Sequence, residues 1–99
     1  MGEVRPQYCR GMAVDKEGNV FIAVTGSRCV LKMKSNAETS EVLRAERPWS
    51  PTGVALFEDS LYVLEYNDEK PTKNREWPLR VRKLDSNGQI TNLIVVRGE

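Results

Sequence analysis

The side chains best suited to chemistry in this sequence are aromatic and cationic, and they gather in two proline-bearing stretches. Residues 45–52 carry Arg47, Trp49 and Thr52, and residues 66–78 carry Tyr66, Arg75 and Trp77. Indole and phenol rings give large contact areas at low conformational-entropy cost, and guanidinium groups add directed donors, the combination that binding surfaces favour. The competing reading is that Trp49 and Trp77 plug gaps between neighbouring elements and fix the loops.

Catalytic chemistry is poorly supplied. The chain has no histidine, which excludes Ser-His-Asp and Cys-His activation within it and every metal site that needs imidazole. Its two cysteines, Cys9 and Cys29, have no CxxC partner, so thioredoxin and zinc spacings are absent. Both are expected to be reduced and buried, with a Cys9–Cys29 disulfide as the alternative in an oxidising compartment. The run Glu65-Tyr66-Asn67-Asp68-Glu69 has enough oxygens for a hard cation such as calcium. Lacking a known loop spacing, it reads as an acidic solvated turn, and neither a metal nor another cofactor is expected.

Charge announces no partner. Lys plus Arg is 15 and Asp plus Glu is 14, a net +1 over 99 residues, which creates no broad field for nucleic acid or anionic lipid. Lys70, Lys73, Arg75, Arg47 and Arg10 would favour RNA, but Glu46, Glu65, Asp68, Glu69 and Glu76 offset them. No apolar run is long enough to span a membrane, and the segment MGEVRPQYCRG has no signal-peptide core, so the expectation is a cytoplasmic protein or a piece of something larger.

The elements that must position these residues come from an internal repeat. Gly11-Met12-Ala13-Val14-Asp15 matches Gly53-Val54-Ala55-Leu56-Phe57, and Val20-Phe21-Ile22-Ala23-Val24 matches Leu61-Tyr62-Val63-Leu64-Glu65. Val30-Leu31-Lys32-Met33 then matches Val81-Arg82-Lys83-Leu84, after an insertion of about ten residues in the second copy. Each copy reads as four strands: 11–15, 19–24, 29–34 and 39–44, then 53–57, 60–66, 79–85 and 90–96. Gly18-Asn19 and Asn87-Gly88 supply the positive φ of tight hairpin turns. The second strand of each copy is apolar on both faces, as a strand stacked between sheets must be, whereas Glu41 and Arg44 make the fourth strand amphipathic and fit it for an outer edge.

The segments Gly11-Met12-Ala13-Val14-Asp15, Gly18-Asn19-Val20-Phe21-Ile22-Ala23 and Arg80-Val81-Arg82-Lys83-Leu84-Asp85 resemble the NHL repeat, which shades into the gluconolactonase-like propellers. Cys9, Cys29 and Phe57 depart from the pattern, standing where the repeat has proline, arginine and aspartate. The resemblance implies an all-β protein, a β-propeller with two four-stranded antiparallel blades, about 9–46 and 50–97, in a single unit. The family usually has six blades, so it further implies a ring completed by homotrimerisation, unless the chain is a fragment of a longer propeller. The loops joining fourth to first strands and second to third strands would then share one face of the disc. That face would carry Arg47, Trp49, Tyr66, Arg75 and Trp77, with Arg10 and Thr52 at equivalent points before the first strands, close to the channel mouth. The function so implied is a binding module for a protein, glycan or small-molecule ligand. The alternative is a metal-dependent lactonase-like hydrolase, although the inner strands lack the carboxylate which that chemistry uses.

Overall fold

The chain was obtained as a computed structural model, which describes residues 9–69 and 78–96. It forms eight strands: β1 (Cys9–Val14), β2 (Val20–Val24), β3 (Cys29–Met33), β4 (Thr39–Arg44), β5 (Trp49–Phe57), β6 (Ser60–Asn67), β7 (Leu79–Leu84) and β8 (Ile90–Val96). They build two four-stranded antiparallel sheets, each with its strands in sequence order. Among the described residues no helix is long and apolar enough to cross a membrane.

The repeat extends to irregularities of register. In both sheets the first strand has a bulge at the same place, between Cys9 and Gly11 and between Pro51 and Gly53. A second bulge falls opposite Val30/Leu31 and Val81/Arg82. Arg10 and Thr52, expected just before their strands, are therefore the extra residues of matching bulges inside β1 and β5.

Short hairpins follow from local chemistry. The Asp15 carboxylate accepts hydrogen bonds from the backbone of Glu17 and Asn19, and Asp85 repeats this with Asn87 and Gln89. Gly18 (φ 84°) and Gly88 (φ 85°) then close each turn at a backbone conformation that costs glycine little. The turn after β3 has the same shape, but Ala37 occupies the positive-φ position at 71°.

The core lies between the sheets. Phe21, Val30 and Leu43 of the first sheet pack on Leu61 and Val63 of the second, with Val54, Leu56 and Leu84 around them. Full burial of such side chains contributes roughly 1.5–3 kcal/mol each. The sheets approach most closely where β1 meets β5: a Cβ at Gly11 would lie 2.8 Å from the Gly53 Cα and 3.1 Å from the Thr52 carbonyl oxygen. Only glycine admits that contact. Cys9 and Cys29 are both free thiols; Cys29 is buried, but Cys9, expected to be buried, is exposed at the first described position of β1. Burial and then the Glu41 charge push the Cys29 thiol pKa up.

Candidate functional site

The two sheets are tied together at the end where β5 begins and β6 finishes by a buried hydrogen bond from Thr25 Oγ1 to the Pro51 carbonyl at 2.7 Å and by a cluster centred on one arginine. Arg28 follows a single 3-10 turn (Thr25–Ser27) and takes a left-handed backbone, φ 56° and ψ 38°, which turns its side chain from the first sheet toward the second. Its guanidinium donates to the Trp49 carbonyl at 2.9 Å and to Ser50 Oγ at 3.0 Å, and pairs with the Asp68 carboxylate at 3.1 Å. Ser50 Oγ in turn donates to Asp68 at 2.7 Å. Burial alone would raise the Asp68 carboxyl, but the hydrogen bonds from Ser50 and Arg28 and the charges of Arg28 and Arg47 outweigh it and hold the pKa below its ordinary value. Arg47 extends the network outward, reaching Glu69 at 2.7 Å from a side chain that is 74% exposed.

A second polar cluster lies on the neighbouring part of the same inter-sheet face. Glu65, fully buried in β6, accepts hydrogen bonds from Arg80 Nε and from Arg82 Nε and Nη2, the last at 2.7 Å. Arg82 also donates to the Arg44 carbonyl of the first sheet at 3.2 Å. Arg80 lies over the Trp49 ring at 4.5 Å, so Trp49 is held by a cation over its indole and by Arg28 at its backbone carbonyl. Glu65 is thus no part of an acidic solvated turn: it neutralises two arginines in the core.

These side chains line a polar cleft of about 350 Å³ formed by Arg44, Glu46, Arg47, Pro48, Trp49, Arg80 and Arg82. Of the residues singled out from sequence, the cleft gathers Arg47 and Trp49. Arg10 and Thr52 sit at the matching bulges, where the Thr52 carbonyl abuts Gly11. Tyr66 pairs with Ser50 and Leu79, and strand alternation places it on the face opposite Glu65, away from Trp49. Arg75 and Trp77 lie outside the described residues. Trp49 belongs to a strand rather than to the loop it was read in, because β5 begins earlier than the expected residue 53, whereas Tyr66, the last residue of the expected strand 60–66, lies within β6.

A larger cleft, about 970 Å³, opens at the opposite end between the sheets. Phe21, Leu56, Leu61 and Leu84 floor it, and Asp15, Glu17, Glu58 and Asp59 stand at its rim with Lys16 and Lys32. Among the described residues no group of three or more His, Cys, Asp or Glu could hold a metal ion.

Sequence reasoning missed Arg28, which no pattern marks. It also missed the Glu65–Arg80–Arg82 cluster, for which a signal existed: Glu65 interrupts an apolar alternation in β6, and two arginines alternate on the strand that pairs with it. No protein-family model matches the chain, and no curated protein or solved structure matches it significantly.

Proposed function

We propose that the chain is a binding module of the NHL-like propeller type, whose two sheets are blades of a ring made by three copies. Its ligand, a protein, glycan or small molecule, is held at the end where β4 turns into β5. The observation that carries this reading is the state of Trp49. Its indole lies under the Arg80 guanidinium and its backbone carbonyl is held by Arg28, yet the residue stays half-buried, lining a cleft beside the exposed guanidinium of Arg47. A rigid aromatic with a cation at its side pays little entropy on binding, which is how hot spots gain affinity. The repeat supports the ring, because each sheet leaves its outward face apolar and exposed, with Met12 at 68% and Ile94 at 55%.

The hydrolase alternative has no comparable support. Glu65, the carboxylate deepest in the inter-sheet space, is enclosed by two arginines and offers no open oxygen for a metal.

The test is a screen of the purified chain on immobilised glycans and peptides, with Arg47→Ala and Trp49→Ala compared with the wild-type chain on every positive. Binding that falls at least tenfold in both variants, with the far-ultraviolet circular dichroism unchanged, is the expected result. Equal binding by Arg47→Ala would move the site elsewhere, since that side chain lies outside the core and its loss leaves the fold intact.

A further inference from the structure

Among the described residues nothing requires Gly53 to be a glycine. Gly11, at the matching position of the first sheet, is required because the β5 backbone lies against it, 2.8 Å from where a Cβ would be. A Cβ built on Gly53 meets only Leu64 side-chain atoms, the nearest at 3.6 Å, an ordinary contact, and no positive φ demands glycine there. Glycine in a strand interior weakens the strand, and it often marks a place where another backbone comes close.

The rest of that face repeats the comparison. Ala23 and Leu43 of the first sheet are 0% and 3% exposed because the second sheet covers them. Leu64 and Ile94 hold the matching register positions in the second sheet and are 38% and 55% exposed. Both faces even carry the same cation over ring: Lys32 stands 5.6 Å from the Phe21 centroid, and Lys83 stands 5.9 Å from that of Tyr62. The surface that covers the first sheet is made by Val54, Leu56, Leu61 and Val63. Its counterpart on the first sheet, Met12, Val14, Val20 and Ile22, has no second sheet over it among the described residues: Met12 and Val14 are 68% and 58% exposed, and Val20 and Ile22 are half-buried. One chain therefore has one filled seam and both halves of a second.

We infer that the outward face of β5–β8 receives the outward face of β1–β4 from a second copy of this chain. The contact is head-to-tail, in the register of the internal seam, with Gly53 against the backbone of β1 around Gly11 of that copy. This deepens the proposed ring by naming its joint, and rests on that reading. A contact between unlike faces leaves one of each kind free on every pair, so copies add until rotation closes the ring.

The test uses the full chain and two variants. Gly53→Val spoils one half of the open seam and Met12→Asp the other, each with the new side chain directed to the outward face and away from the internal seam. By light scattering the wild-type chain is expected at a fixed multiple of 11.2 kDa, and each variant alone at 11.2 kDa with an unchanged circular dichroism spectrum. Mixed in equal amounts, the variants are expected to pair, since one keeps each half intact, and to stop at about twice the mass of one chain. A mixture that stays monomeric overturns the head-to-tail seam. An assembled Gly53→Val chain overturns the register while leaving the ring standing. A monomeric wild-type chain overturns both, and leaves the loop-end ligand site to be judged by its own screen.

Discussion

Asp68 shows how much of the loop end rests on single charges. Its carboxylate receives Ser50 and Arg28, so the folded pKa lies below the ordinary 3.8 despite partial burial. A lowered carboxyl pKa contributes stability that is present above the unfolded value and disappears as pH falls through the folded one. Stability measured by urea titration is therefore expected to fall as pH drops from 5 toward 2, and Asp68→Asn is expected to flatten that fall. At neutral pH the same variant should cost about 1 kcal/mol, the low end for a charged hydrogen bond at a site that solvent reaches. An unchanged acid limb would mean that Arg28 holds the sheets together through Trp49, Ser50 and Glu69 without Asp68. Buried Glu65 obeys different energetics: two guanidinium groups at 15% and 12% exposure compensate it, and removal of either partner would leave charge stranded in the core. The Glu65 cluster left a trace in the alternation of β6 and β7, but the Arg28–Asp68 pair was not legible from residue types, because long-range ion pairs have no spacing rule. Arg28 and Asp68 are forty positions apart.

At the scale of elements the sequence was far more informative, since strands and hairpins are local. All eight strands lie where alternation and turn residues placed them, and both aspartate-led turns recur with the same hydrogen bonds. The misjudged ends have a physical cause. Pro51 with Pro48 read as a loop, but β5 is the first strand of its sheet and pairs on one side only, so a proline lacking its N–H can sit at the bulge without losing a ladder bond. The turn after β3 shows the opposite case, a regular element built with an unfavourable residue. Ala37 adopts φ 71°, where its Cβ crowds the backbone, while Gly88 fills the equivalent place in the second sheet at 85°. Ala37→Gly should stabilise the chain by about 0.5–1 kcal/mol, the strain relieved less the extra freedom of glycine when unfolded. Gly88→Ala should destabilise it by a similar amount. Thermal melts of the two variants check the pair, and an Ala37→Gly chain no more stable than the wild type would show that the turn relaxes by another route.

For the whole molecule the decisive quantity is the apolar surface that one chain cannot bury. Phe57, Met12 and Val14 are each more than half exposed, as is Ile94, and they belong to the two outward sheet faces rather than to scattered loops. Soluble chains seldom leave such faces to water. Where assembly covers them, folding and association become one equilibrium, and the melting temperature depends on protein concentration. For three chains unfolding together, each with about 70 kcal/mol of enthalpy, the melting temperature rises by roughly 5 °C for every tenfold increase in concentration. The wild-type chain is expected to follow that slope. Ile94→Lys changes a side chain that is 55% exposed within the chain, where such a substitution costs under about 0.5 kcal/mol. Placed in a seam, the same lysine loses its hydration without gaining a partner. The variant should therefore melt at a lower temperature that no longer moves with concentration, and a wild-type melt that is itself independent of concentration would mean that the two faces stay open to solvent.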